Sequence, residues 1–111
     1  MPIRGSVCQQ SDHAETVEVL TLERLLTEMS VPHVDFLKMD VEGAEIQATE
    51  GALSVLKRDH PRLAITTDHR PFDFVALRAM LLTIGYPHIK AAGITKYGGS
   101  IDRPVMLHAW E

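Results

Sequence analysis

Hydrophobic positions along this chain recur at two periods, and the switches between them divide it into alternating strands and helices. Residues 17–20 alternate as a short strand. Thr21 then offers an N-cap hydroxyl, with Glu23 in the first turn, and Leu22, Leu25, Leu26 and Met29 follow at helical spacing. They predict a helix with one apolar face, which Pro32 blocks from continuing. Residues 34–39 are apolar except for Asp35 and Lys38 and read as a strand buried on both faces, like parallel strands covered by helices. Asp40, Glu42 and Gly43 follow it. A helix is expected over 44–58, with Ile46, Leu53, Val55 and Leu56 facing inward. Gly51 either costs that helix about 1 kcal/mol relative to alanine or breaks it. After His60-Pro61, residues 62–67 supply a strand centred on Leu63-Ala64-Ile65 that runs out into Asp68-His69-Arg70-Pro71. Pro71 suits a helix first turn. Phe74, Leu77, Leu81 and Ile84 mark the apolar face of that helix, and Gly85 suits its C′ position. Residues 88–94 form a further strand, Gly98-Gly99 a tip, and residues 105–110 alternate like an antiparallel partner.

Strands joined by helices imply parallel βαβ units, and a final pair joined only by a loop implies an antiparallel hairpin at one edge. The class is therefore α/β: a mostly parallel sheet with a C-terminal antiparallel hairpin. Residues 1–16 are polar and unpatterned, with Pro2, Gly5 and Ser11-Asp12 as punctuation, and read as a tail or loop before a single domain over 17–111.

Composition narrows the function classes. A chain that is 45% hydrophobic and 23% charged builds a core rather than staying disordered. Its net charge of −4 and its scattered basic residues, densest at Lys57-Arg58, argue against nucleic acid. Cys8 is the only cysteine, so neither an intrachain disulfide nor a thiolate metal cluster is available. With no apolar run of signal-peptide or membrane-span length, a cytoplasmic protein is expected, without a membrane partner.

The most informative stretch is Val34-Asp35-Phe36-Leu37-Lys38-Met39-Asp40-Val41-Glu42-Gly43-Ala44-Glu45. It resembles the strand and turn hydrophobic–Lys–hydrophobic–Asp–Val–Glu–Gly–x–Glu of the FkbM family of methyltransferases. Three landmarks occur in the family's order: Thr21-Leu22-Glu23 before the block, Gly51-Ala52 after it, and Pro61-Arg62-Leu63-Ala64-Ile65 leading to the next strand. His69 and Pro71 extend the likeness to one branch. The resemblance covers about residues 17–110. It implies a partial Rossmann-like, three-layer class I methyltransferase fold and methyl transfer from S-adenosylmethionine to a hydroxyl of a small molecule or sugar. The family binds that cofactor with a Gly-rich turn after its first strand and an acidic residue after its second. No Gly-x-Gly-like motif precedes Val17. The expectation is thus a C-terminal half without its cofactor-binding half and without activity alone; the alternative is a non-catalytic remnant or oligomerising module. Thr49, where the family has a large apolar residue, and Asp68, where its branch often has Tyr, are further departures.

In open α/β sheets ligands gather beyond the carboxyl ends of the strands. If the strands over 34–39 and 62–67 are neighbours, about 4.8 Å apart, Asp40, Glu42 and Glu45 share a rim with Asp68 and His69. The candidate catalytic residues are Asp40, Glu42, Asp68 and His69. His69 or a carboxylate would take the proton of an acceptor hydroxyl; alternatively Asp40, Glu42 and Asp68 would hold a divalent cation that acidifies it. The bland reading is a strand-ending Asp40, a Glu42 favoured near a helix N-terminus and a Gly43 needed for its backbone. His60, His88, His108 and Trp110 are read as packing or surface residues, and Lys38 as a snorkelling one. In the family, strand 34–39 lies beside the missing first strand. Its open edge predicts a homo-oligomer or a partner that covers it, unless residues 17–20 fold back over it.

Overall fold

The computed structural model describes residues 5–8, 16–95 and 103–111. The Gly98-Gly99 tip and the Ser11-Asp12 punctuation lie outside the described residues. The elements are β1 (Gly5–Cys8), β2 (Thr16–Val19), α1 (Leu22–Glu28), β3 (Phe36–Met39), α2 (Glu45–Glu50), α3 (Leu53–Asp59), β4 (Arg62–Thr66), α4 (Asp73–Ile84), β5 (His88–Thr95) and β6 (Arg103–Trp110). Gly5–Cys8, inside the segment read as tail or loop, is extended and pairs antiparallel with β2, Gly5 opposite Val19.

The main sheet has the order β3-β4-β6-β5. Only β3 and β4 are a parallel pair; β6 runs antiparallel to both β4 and β5. The sheet among the described residues is therefore mixed and mostly antiparallel, not mostly parallel. The helix-linked strands β3, β4 and β5 do share one direction, as their crossovers require. However, the final strand inserts between β4 and β5 and converts what would be a parallel neighbour pair into two antiparallel ladders. The C-terminal hairpin forms as expected, with β5 rather than β6 at the edge.

Local signals act where they are read. The Thr21 hydroxyl accepts from the Arg24 N–H at 3.2 Å and caps α1. The helix expected over 44–58 breaks at Gly51, which caps α2, and α3 starts two residues on. Gly85 ends α4 with φ 112°, a left-handed conformation that a side chain would strain. The core lies where Leu63 and Ile65 of β4 meet Leu107 and Ala109 of β6, covered by Leu56 of α3 and by Leu77 and Leu81 of α4. Thr49, in place of a larger apolar residue, is buried with its hydroxyl 3.7 Å from the Met39 sulfur.

One expectation fails at β3. It is not buried on both faces: only Met39 is buried, and Phe36 is 56% exposed. The strand has a neighbour on one side only among the described residues, since β2 pairs with β1 instead of folding back onto it. Its entry is held by Asp59, whose carboxylate accepts from the Val34 N–H at 2.9 Å and from Arg58 Nε and Nη2 at 2.7 and 2.8 Å. The Arg58 hydrogen bonds, then the Val34 amide, hold the Asp59 carboxyl well below the usual carboxylate range. An acid depressed in this way contributes stability that is fully present above its unfolded value, about 3.9, and lost as pH falls through the folded value. Urea midpoints should therefore fall as the pH is lowered beneath about 4, and less steeply in Asp59→Asn than in the parent.

Candidate functional site

The parallel register sets Met39 opposite Ile65, so β3 and β4 end level with one another. The segments that leave the two strands therefore emerge on the same rim. From β4, the chain is pinned before it turns: the buried Thr67 donates its N–H to Val105 O at 2.9 Å and its hydroxyl to Pro104 O at 2.8 Å. Arg103 Nη1 donates to Asp68 O at 3.3 Å. These contacts to the start of β6 fix where His69 departs.

From β3, the chain makes a tight turn with two residues in the left-handed region, Glu42 at φ 53° and Gly43 at φ 99°. Glu45, the first residue of α2, reaches back into that turn. Its Oε2 accepts from the Val41 N–H at 2.7 Å and its Oε1 from the Gly43 N–H at 2.9 Å. The side chain is fully buried, at 0% exposure. A buried carboxylate without such donors would be costly; here each oxygen has one.

The two segments meet at His69. Its Nε2 lies 2.9 Å from Asp40 Oδ1 and its Nδ1 3.9 Å from Glu42 Oε2. Since a carboxylate only accepts, the Asp40 contact puts the imidazole proton on Nε2 and leaves the Nδ1 lone pair as the basic position of the neutral ring. The hydrogen bond to Asp40 raises the His69 pKa above its ordinary value, with the negative charges of Glu45, Glu42 and Asp68 adding to it. Three of the residues predicted from sequence thus touch or face one another, and Asp68 acts on the same ring through its charge.

Several contributors were not singled out from sequence. Glu45 stood on the predicted rim without a role, and Thr67, Arg103 and Asp73 had none. Asp73, in the first turn of α4, is 2% exposed, and its Oδ2 has no hydrogen-bond partner among the described residues. Burial, then the charge of Glu45, holds its carboxyl above the usual range. The only advance signal was position: an acid in a helix first turn, which usually means a solvated cap.

Among the described residues, the groups that converge closely enough for a cation are Asp40, Glu45 and His69, with ligand atoms within 4.8 Å of one another. This differs from the Asp40, Glu42 and Asp68 set considered from sequence. Asp40 and His69 already bond each other, and Glu45 holds two amides, so the three are partnered without an ion. Among the described glycines, Gly43 and Gly51 are each packed against a side chain of this chain, so neither presents the open backbone that a nucleoside cofactor approaches. At Gly43 the Cβ position lies 3.3 Å from Arg70 Nε. At Gly51 the same position meets Thr21 Cγ2 at 3.5 Å.

The model of the family described as Methyltransferase FkbM domain matches residues 4–89, well over half of the chain. No curated protein matches it. No solved structure matches it. The family match reaches upstream to include the β1–β2 hairpin and covers β3, the turn at Glu42-Gly43 and the loop carrying His69. This chain belongs to the FkbM methyltransferase family.

Proposed function

We propose that the chain supplies the acceptor side of an S-adenosylmethionine-dependent methyltransferase that acts on a hydroxyl of a small molecule or sugar. The observation that carries this reading is the Asp40–His69 pair. With Nε2 held by Asp40, His69 Nδ1 is the atom that takes the acceptor's hydroxyl proton. Asp40 and Glu42 then stabilise the imidazolium that results. Because the neutral ring is the base and its pKa is raised, proton removal strengthens as pH rises through that raised value. Asp68 contributes its charge to the same ring.

The fold belongs to this reading as the C-terminal part of a Rossmann-like, three-layer domain. Its support is the shared direction of β3, β4 and β5 with helices between them, and a site beyond the ends of β3 and β4. No step is assigned to the cofactor, because Gly43 and Gly51 are packed against side chains of this chain and present no open Gly-rich turn. The chain alone is proposed to be inactive, with the cofactor-binding half supplied elsewhere.

A second reading, a non-catalytic module that associates through β3, is favoured by the one-sided pairing of that strand and its exposed Phe36. The occupant of that edge would be a second copy or a partner strand. Calorimetric titration of the purified chain with S-adenosylmethionine or S-adenosylhomocysteine addresses both readings when paired with sedimentation of the same sample. The expected result is no binding heat and association that grows with concentration. Saturable one-to-one heat would overturn the proposed division between the two halves, and a strict monomer would overturn self-association.

A further inference from the structure

We infer that Glu45 is a positioning residue: by clamping the turn after β3 through the Val41 and Gly43 amides, it presets Asp40 and Glu42 around the imidazole of His69. The first ground is burial. Glu45 is inaccessible to solvent, so it cannot itself touch an acceptor. Its two oxygens are spent on amides two and four residues upstream, at 2.9 and 2.7 Å. Between and beside those amides stand the two carboxylates that meet His69, Asp40 at 2.9 Å from Nε2 and Glu42 at 3.9 Å from Nδ1.

The turn would not keep this shape unaided. Glu42 at φ 53° is a non-glycine residue in the left-handed region, a strained conformation unless its surroundings hold it. Glu45 is what holds it, through the Val41 and Gly43 amides, and Arg70 Nε lies 3.3 Å from the Cβ position of Gly43. The consequence is a defined tautomer. As long as the clamp is closed, Asp40 reaches Nε2 and the lone pair of His69 stays on Nδ1. With it open, the ring loses that partner and either nitrogen carries the proton.

This inference rests on reading Asp40 and His69 as the acceptor-side pair, but its test uses neither cofactor nor acceptor. A failure of the methyl-transfer reading therefore leaves its outcome standing. The experiment is nitrogen-15 NMR of the full chain, reading the His69 ring nitrogens and the exchange of the Val41 and Gly43 amides. Glu45→Asp keeps the charge near His69 but is one methylene too short to span both amides. It is expected to speed exchange at Val41 and Gly43 at least about tenfold and to abolish the fixed Nε2–H tautomer. Glu42→Gln removes a charge at the ring and leaves the clamp, so the amides should stay protected and the tautomer stay fixed. If Glu45→Asp frees the amides while the His69 signals remain those of the parent, Glu45 is merely structural and the inference is wrong. Should that variant not fold, Glu45→Gln asks the same question at the same side-chain length, since its one amide oxygen can accept from only one of the two N–H groups. Loss of the tautomer there supports the inference, and an unchanged tautomer overturns it.

Discussion

Replacing Tyr86 with alanine should cost about 3–5 kcal/mol of folding stability, the largest loss expected of any single truncation among the described residues. Tyr86 is the largest of the fully buried side chains among the described residues. It follows the glycine that ends α4, its ring stacks on His60 with centroids 5.1 Å apart, and its hydroxyl donates to Pro61 O at 2.6 Å. It thus ties the end of α4 to the residue that leads into β4, and both elements carry the rim. Phenylalanine at the same position keeps the ring and loses only the hydrogen bond, for an expected cost of about 1 kcal/mol. Urea unfolding at neutral pH measures both. An alanine variant within about 1 kcal/mol of the parent would contradict the placement of Tyr86 at the centre of the core.

The second large effect concerns chemistry. In any assembly in which this chain contributes to methyl transfer, His69→Ala should lower the rate about 10²–10⁴-fold, the usual worth of a positioned general base. The loss should fall on the chemical step rather than on acceptor binding, because the role proposed for Nδ1 is on the proton in transit and not on the bound ground state. Asp40→Asn should lose less. It leaves the imidazole in place but replaces the acceptor that fixes its tautomer. A rate unchanged by removal of the ring would remove His69 from the mechanism and leave the rim as a surface cluster only.

Much of the fold was legible because it is locally encoded. The Thr21 cap and the glycine after α4 each follow from a residue's own preferences, whereas at Gly51 a costly continuous helix and a break both stay open. The meeting of Asp40, Glu42 and His69 was also legible, since a parallel pair joined through helices must bring its two carboxyl ends to one rim. Contacts distant in sequence decided the features that escaped. Nothing in residues 103–110 says whether that strand lies outside β5 or between β4 and β5, so the balance of parallel and antiparallel pairing could not be read. The apolar run at 34–39 was read as doubly buried because composition does not tell a covered strand from an edge whose apolar side chain stays exposed, as Phe36 does. Glu45 looked like a residue in a helix first turn, and only the left-handed turn at Glu42-Gly43 folds the upstream amides back onto it. Asp73 was similarly hidden, because the pattern that marks an acidic first turn is silent about whether α4 buries that turn.

Centrally, β3 and β4 deliver Asp40 and His69 to one another as a hydrogen-bonded pair, for which proton handling is proposed. Nitrogen-15 NMR titration of the His69 imidazole tests this most directly. The geometry predicts a neutral ring protonated at Nε2 and a pKa above the ordinary histidine value, falling when Asp40 is changed to Asn. The sign is fixed by the partner. A histidine stabilised in its charged form contributes to stability below its unfolded pKa, and that contribution is lost as pH rises through the folded value. A His69 that titrates at the ordinary value in the parent, with no preferred tautomer and no response to Asp40→Asn, would contradict the pairing.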